Sequence, residues 1–144
     1  MRLNPEKVYN KFRDIKESID RLRAFKELPL EAFLEDQDKK DVASFRLIVA
    51  TEAAIDLCLH ISARLLKKVP EEYAGCFGLL ADEGLIDKGL ALRLSDMARF
   101  RNLLVHRYWQ IDYSRLYRII TGQDLNDLED FVRSVSNLME KKGN

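Results

Sequence analysis

Apolar residues recur three or four positions apart along most of the chain. Nowhere do they alternate with polar ones in the period-two pattern of a half-buried strand. The first stripe is Val8, Phe12, Ile15, Ile19, Leu22 and Phe25, with Lys11, Arg13, Lys16, Glu17, Asp20 and Arg23 opposite. Asn4 suits an N-cap and Pro5 the first helical position, so the spacing predicts an amphipathic helix from there to about Leu28, before Pro29. Leu30 to Leu34 then leads into the charged stretch Glu35 to Asp41, a solvated helix start. A second, long helix is expected to run to about Val69 and stop at Pro70. Its interior, Leu47 to Leu66, is apolar on most sides, as in the central element of a bundle.

Glu71 to Glu83 reads as a shorter helix or a turn-rich connection broken by Gly75, Gly78 and Gly84. Asp87 caps a helix through Leu90, Leu94, Met97, Phe100 and Leu104, ending near Arg107 or Tyr108. Asp112 caps a short helix to about Thr121, where Gly122 terminates it. The last helix runs from about Asp124 through Leu128, Phe131, Val135 and Leu138 and frays into Lys141 to Asn144. The expectation is an all-α fold over residues 1–144 as a single domain, an antiparallel bundle of four main helices plus short ones.

Charge sharpens this picture. Lysines and arginines number 24, as do aspartates and glutamates, and this balance argues against a protein that wraps nucleic acid. Locally it does not hold: Arg93, Arg99, Arg101, Arg107, Arg115 and Arg118 share their stretch with only Asp96 and Asp112. Cys58 and Cys76 lack metal-site spacing and read as free, buried thiols of a reducing compartment. The chain opens into a charged helix without an apolar secretory core, and no apolar run approaches the roughly 20 residues that span a bilayer. A soluble, cytoplasmic protein without a membrane partner is expected.

Two groups of polar residues stand out on helices that are otherwise apolar. Glu52, Asp56, His60 and Arg64 follow one another at intervals of four, with Arg46 in the same sector. Such a stripe is read as a ladder of i,i+4 charge pairs facing solvent, or as a face toward a cleft or second subunit. A metal site from Glu52, Asp56 and His60 would need a further histidine on a facing helix, so no metal is assigned.

The second group is Arg101-Asn102-Leu103-Leu104-Val105-His106-Arg107-Tyr108. Seven helical positions set Tyr108 roughly 20° from Arg101, while His106 lies about 140° from Arg101 and about 40° from Asn102. Asn102 is thus placed to orient the His106 imidazole, and a two-fold dimer would gather two arginines and two histidines in one cleft. Such a cleft has the groups for cutting RNA without metal: a base for the ribose 2′-hydroxyl, an acid for the leaving 5′-oxygen, and a guanidinium for the phosphate. The same residues are also consistent with a satisfied histidine at a helix end and a surface arginine.

Arg101-Asn102-x-x-x-His106-x-Tyr108 resembles the R-x4-H-x-Y signature of HepT-type toxins, members of the HEPN superfamily. The resemblance extends to Phe45-Arg46-x5-Glu52-Ala53-x-Ile55-Asp56 with His60-Ile61, to Tyr73–Leu80 and Gly84–Asp87, and to Leu94-x-x-Met97-x-x-Phe100. It implies a HEPN-like helical bundle that forms a homodimer, with Arg101 and His106 as the catalytic residues of an endoribonuclease that needs no cofactor. Asn102 would be a supporting, orienting residue. It further implies a cognate minimal nucleotidyltransferase antitoxin that transfers AMP to Tyr108. The alternative is a non-catalytic HEPN subunit that binds nucleotide or substrate for a nucleotidyltransferase complex.

Overall fold

Helix signals written into the chain reappear as seven α-helices in the computed structural model, which describes residues 3–141. They are α1 (Pro5–Arg23), α2 (Leu30–Glu35), α3 (Gln37–Ile61), α4 (Cys76–Asp82), α5 (Lys88–His106), α6 (Tyr113–Thr121) and α7 (Asp124–Lys141). Among the described residues there is no strand. The expected caps are present: the side chains of Asn4, Asp87 and Asp112 each accept from a backbone N–H three residues on, and Asp36 caps α3 in the same way. The expected fraying from Lys142 onward lies outside the described residues.

The four long helices, α1, α3, α5 and α7, make the bundle, with α3 in its middle. Ala43, Ala50, Ala53 and Ala54 of α3 are buried, so neighbouring helices approach it closely, while Leu47, Leu57 and Ile61 fill the space between. α1 lies antiparallel to α3: Asn4 meets His60 and Lys11 meets Asp56. Phe33, Phe77 and Phe131, from α2, α4 and α7, are fully buried and bring the short helices into the same core. No helix among the described residues is long and apolar enough to cross a membrane.

Three boundaries differ from the sequence expectation. The first α-helix ends at Arg23, and Ala24–Glu27 tightens into a 3-10 turn instead of continuing to Leu28. Leu28 precedes proline and is extended, and its carbonyl accepts from the Tyr117 hydroxyl. The long helix stops being α at Ile61 and widens into a π-turn, Ser62–Leu66, well before Val69. There Ser62 Oγ donates to the Lys68 carbonyl at 2.7 Å, and Lys67 takes a left-handed conformation, φ 56°. Finally, Gly75 and Gly78 do not break the segment that follows: the 3-10 turn Tyr73–Gly75 runs directly into α4, and only Gly84, at φ 73°, ends it.

Candidate functional site

The site is built on the last two turns of α5. Leu90, Leu94, Met97, Ala98, Phe100 and Leu104 are buried and turn one face of this helix to the core. Arg101, Asn102 and His106 are thereby presented on the remaining face. Arg101 is nonetheless well covered, with a side chain 16% exposed. Its Nε and Nη2 both donate to Glu52 Oε2 of α3, at 3.2 and 2.8 Å, and its Nη1 donates to Asn102 Oδ1 at 2.9 Å. The guanidinium is thus locked in orientation. It carries five N–H groups, so among the described residues two are left to face a ligand. An arginine fixed in this way can fork onto a phosphate without first losing side-chain freedom.

This arrangement changes two expectations. Asn102 holds its carbonyl oxygen toward Arg101, and no bond from it to His106 is present among the described residues. Tyr108 does not share the helical face of Arg101, because α5 ends at His106. Arg107, at φ −132° and ψ 44°, leaves the helix, and Tyr108–Gln110 forms a 3-10 turn with Gln110 N donating to the Arg107 carbonyl. Tyr108 stands 69% exposed, edge-on to Trp109 at 5.2 Å between ring centroids. Its hydroxyl has no hydrogen bond among the described residues. His106, the final helical residue, is exposed one turn beyond Asn102.

The four-spaced stripe on α3 is not a ladder of pairs within one helix. Glu52 takes Arg101 of α5, Asp56 takes Lys11 of α1 at 2.9 Å, and His60 Nε2 accepts from the Asn4 backbone N–H at 3.0 Å. With its Nε2 lone pair so engaged, His60 carries its proton on Nδ1 when neutral. Burial, then the nearby charges of Lys7 and Arg64, hold its pKa below the ordinary histidine value. The stripe therefore ties α3 to its neighbours. Glu52 is the functional residue that the sequence did not attach to the site. The only signal was its place in a polar stripe, because nothing local announces a partner 49 positions away.

Both cysteines are free and buried. Burial, reinforced by its neighbour Cys76, pushes the Cys58 thiol far up, so it stays protonated and is no nucleophile.

The ribonuclease HepT-like family model matches residues 15–135. The chain is 29% identical over 100 residues to the mRNA nuclease HepT of Shewanella oneidensis, a match covering 69% of this chain and 74% of that protein. It is 26% identical over 103 residues to the tRNA nuclease HepT of Aphanizomenon flos-aquae, covering 72% and 70% respectively. Among solved structures, the tri-AMPylated Shewanella oneidensis HEPN toxin in complex with MNT antitoxin is similar with a TM-score of 0.83 and 27% identity, over 91% of this chain and 97% of that one. The all-α bundle, the exposed end of α5 and a family match across most of the sequence lead to one conclusion: the chain belongs to the ribonuclease HepT-like family.

Proposed function

We propose that this protein is the toxin of a toxin–antitoxin pair, an endoribonuclease working at the end of α5 without metal. The observation that carries the reading is the Arg101 guanidinium, clamped by Glu52 and Asn102 beside an exposed His106. In the reaction, a histidine base takes the proton of a ribose 2′-hydroxyl, and the 2′-oxygen attacks the adjacent phosphorus. The 5′-oxygen leaves with a proton from a second histidine, giving a 2′,3′-cyclic phosphate and a free 5′-hydroxyl. Arg101 holds the phosphate and meets the charge that grows on its oxygens.

One chain supplies one such histidine, so the functional unit is a homodimer with two copies of His106 across the cleft. Exposed apolar side chains support this. Val42 and Phe45 of α3 are 47% and 56% exposed, and Leu103, Val105 and Trp109 stand out at the end of α5. Lys40 lies over the Tyr113 ring, so the start of α3 packs against the start of α6, shortly after the end of α5 in the chain.

The off-switch is AMP transfer to Tyr108 by a minimal nucleotidyltransferase antitoxin. The phenol oxygen attacks the α-phosphorus of ATP, its proton is lost, and pyrophosphate leaves. The relative described above is an AMPylated toxin bound to its MNT antitoxin. The exposure of Tyr108, at 69%, supports it as the acceptor in this chain. A bulky phosphodiester beside Arg101 and His106 would exclude substrate and compete for the guanidinium.

The test is RNA cleavage in EDTA with end-group analysis. Wild type should give cyclic phosphate ends, and His106→Ala should lose activity by roughly 100-fold or more. Full activity in that variant overturns the catalytic assignment. Intact mass after incubation with the antitoxin and ATP should show added AMP, absent in Tyr108→Phe. Addition that persists in Tyr108→Phe overturns the acceptor assignment.

A further inference from the structure

Beside the Arg101–His106 end of α5 lies an open groove of about 490 Å3 lined by Glu71, Glu72, Tyr73, Ala74, Arg99 and Asn102. The turn that forms its wall is firmly seated: Ser95 Oγ of α5, itself buried, donates to the Ala74 carbonyl at 2.7 Å. On this fixed support Tyr73 is 56% exposed and has no ring neighbour among the described residues, so packing does not account for an aromatic there. Asn102 joins the groove to the catalytic end. Its Oδ1 is held by Arg101, which turns its Nδ2 into a positioned and still unused donor.

The charges say which part of an RNA chain fits. Two carboxylates repel phosphate, whereas Arg101 attracts it, so the groove suits an uncharged base while the backbone runs past Arg101. A tyrosine face stacks on any base. The polar rim discriminates further, because a carboxylate has two adjacent acceptors and guanine alone presents two adjacent donors, N1–H and N2–H, on its pairing edge. The guanine O6 acceptor then meets Asn102 Nδ2 or Arg99, whose guanidinium is held by Asp96 at 3.0 Å.

We propose that this groove is a nucleobase subsite that takes a guanine next to the scissile phosphate, with Tyr73 as its stacking platform. The proposal rests on the ribonuclease reading and is separable from it by two experiments. The first maps cleavage of a random-sequence RNA. Guanine should be enriched at one position flanking the cut. Tyr73→Ala should flatten that enrichment and lower kcat/KM on guanine substrates by roughly 5- to 100-fold, mainly through KM, the range set by base–aromatic stacking. Tyr73→Phe should keep it. Glu71→Gln with Glu72→Gln should lose the guanine preference. An unchanged pattern in Tyr73→Ala overturns the subsite.

The second experiment uses the non-cleaving His106→Ala protein and labelled trinucleotides in fluorescence anisotropy. A guanine-containing trinucleotide should bind more tightly than an all-uridine one, and adding Tyr73→Ala should remove the difference. If wild type cuts no RNA yet this preference is present, the subsite stands and the ribonuclease reading falls. If RNA is cut but neither experiment depends on Tyr73, the subsite falls and the ribonuclease reading stands.

Discussion

Arg101 has three of its N–H groups already committed, and its proposed role toward phosphate depends on what that commitment achieves. Glu52 partly neutralises the arginine, which weakens its attraction for RNA, but it also removes the freedom of a long side chain. Orientation is the larger effect where catalysis depends on placing a charge within a fraction of an ångström. Glu52→Ala should therefore lower cleavage by roughly 10- to 100-fold even though it removes a negative charge from the site. Its effect on stability should be small, about 1 kcal/mol or less, because the carboxylate is half-exposed. Cleavage assays and urea denaturation of the same variant check both halves, and unchanged or faster cleavage would show that Glu52 does not position Arg101. At this scale the spacing of Arg101, Asn102, His106 and Tyr108 singled out one motif as the candidate site. Their partners were not, because Asn102 bonds to Arg101, where helical angles had paired it with His106.

Among the elements, α3 does more than fill the core. Its polar stripe reaches α5 through Glu52, α1 through Asp56 and the chain before α1 through His60, so each polar group fixes the position of a neighbour. The His60 contact makes a pH prediction. An unfolded histidine takes up a proton near pH 6.5, whereas folded His60 resists protonation because of burial and the nearby Lys7 and Arg64. The unfolded state then binds more protons at pH values from about 6.5 down to the folded pKa. The contribution is fully present above that window and lost as the pH falls through it. The urea midpoint should drop between pH 7.5 and pH 5, and drop less in His60→Gln, which keeps an acceptor for Asn4 without the titration. Equal drops in both proteins would count against His60. Element ends were predictable where the local chemistry was decisive, at Asn4, Asp87, Asp112 and Gly122. An added Cβ at Gly122 would come within 2.7 Å of the Arg118 carbonyl, so only glycine fits that turn. The ends at Arg23 and Ile61 were missed, since a tyrosine from α6 and a serine–carbonyl bond decided them.

For the whole molecule, the exposed apolar side chains around the end of α5 predict assembly. Phe45 and Trp109 are costly to leave in water and useful only if covered. Light scattering should give twice the chain mass for wild type, while Phe45→Glu with Trp109→Glu should give a monomer that keeps its helical circular dichroism and loses cleavage. A fully active monomer would remove the composite cleft. The sequence by itself determined the fold class, the order of the helices, most of their caps and which motif is the candidate for the chemistry. These are written in periods of three and four and in single capping residues, interactions that span one or two turns. The tertiary structure alone decided that Glu52 belongs to Arg101, that the α3 stripe points at three different neighbours, and that Tyr108 sits on its own turn after the helix. It also placed Tyr73 across a groove from Asn102. Pairings between residues tens of positions apart depend on how helices are turned about their axes when the core closes, and periodicity along the chain carries no record of that rotation.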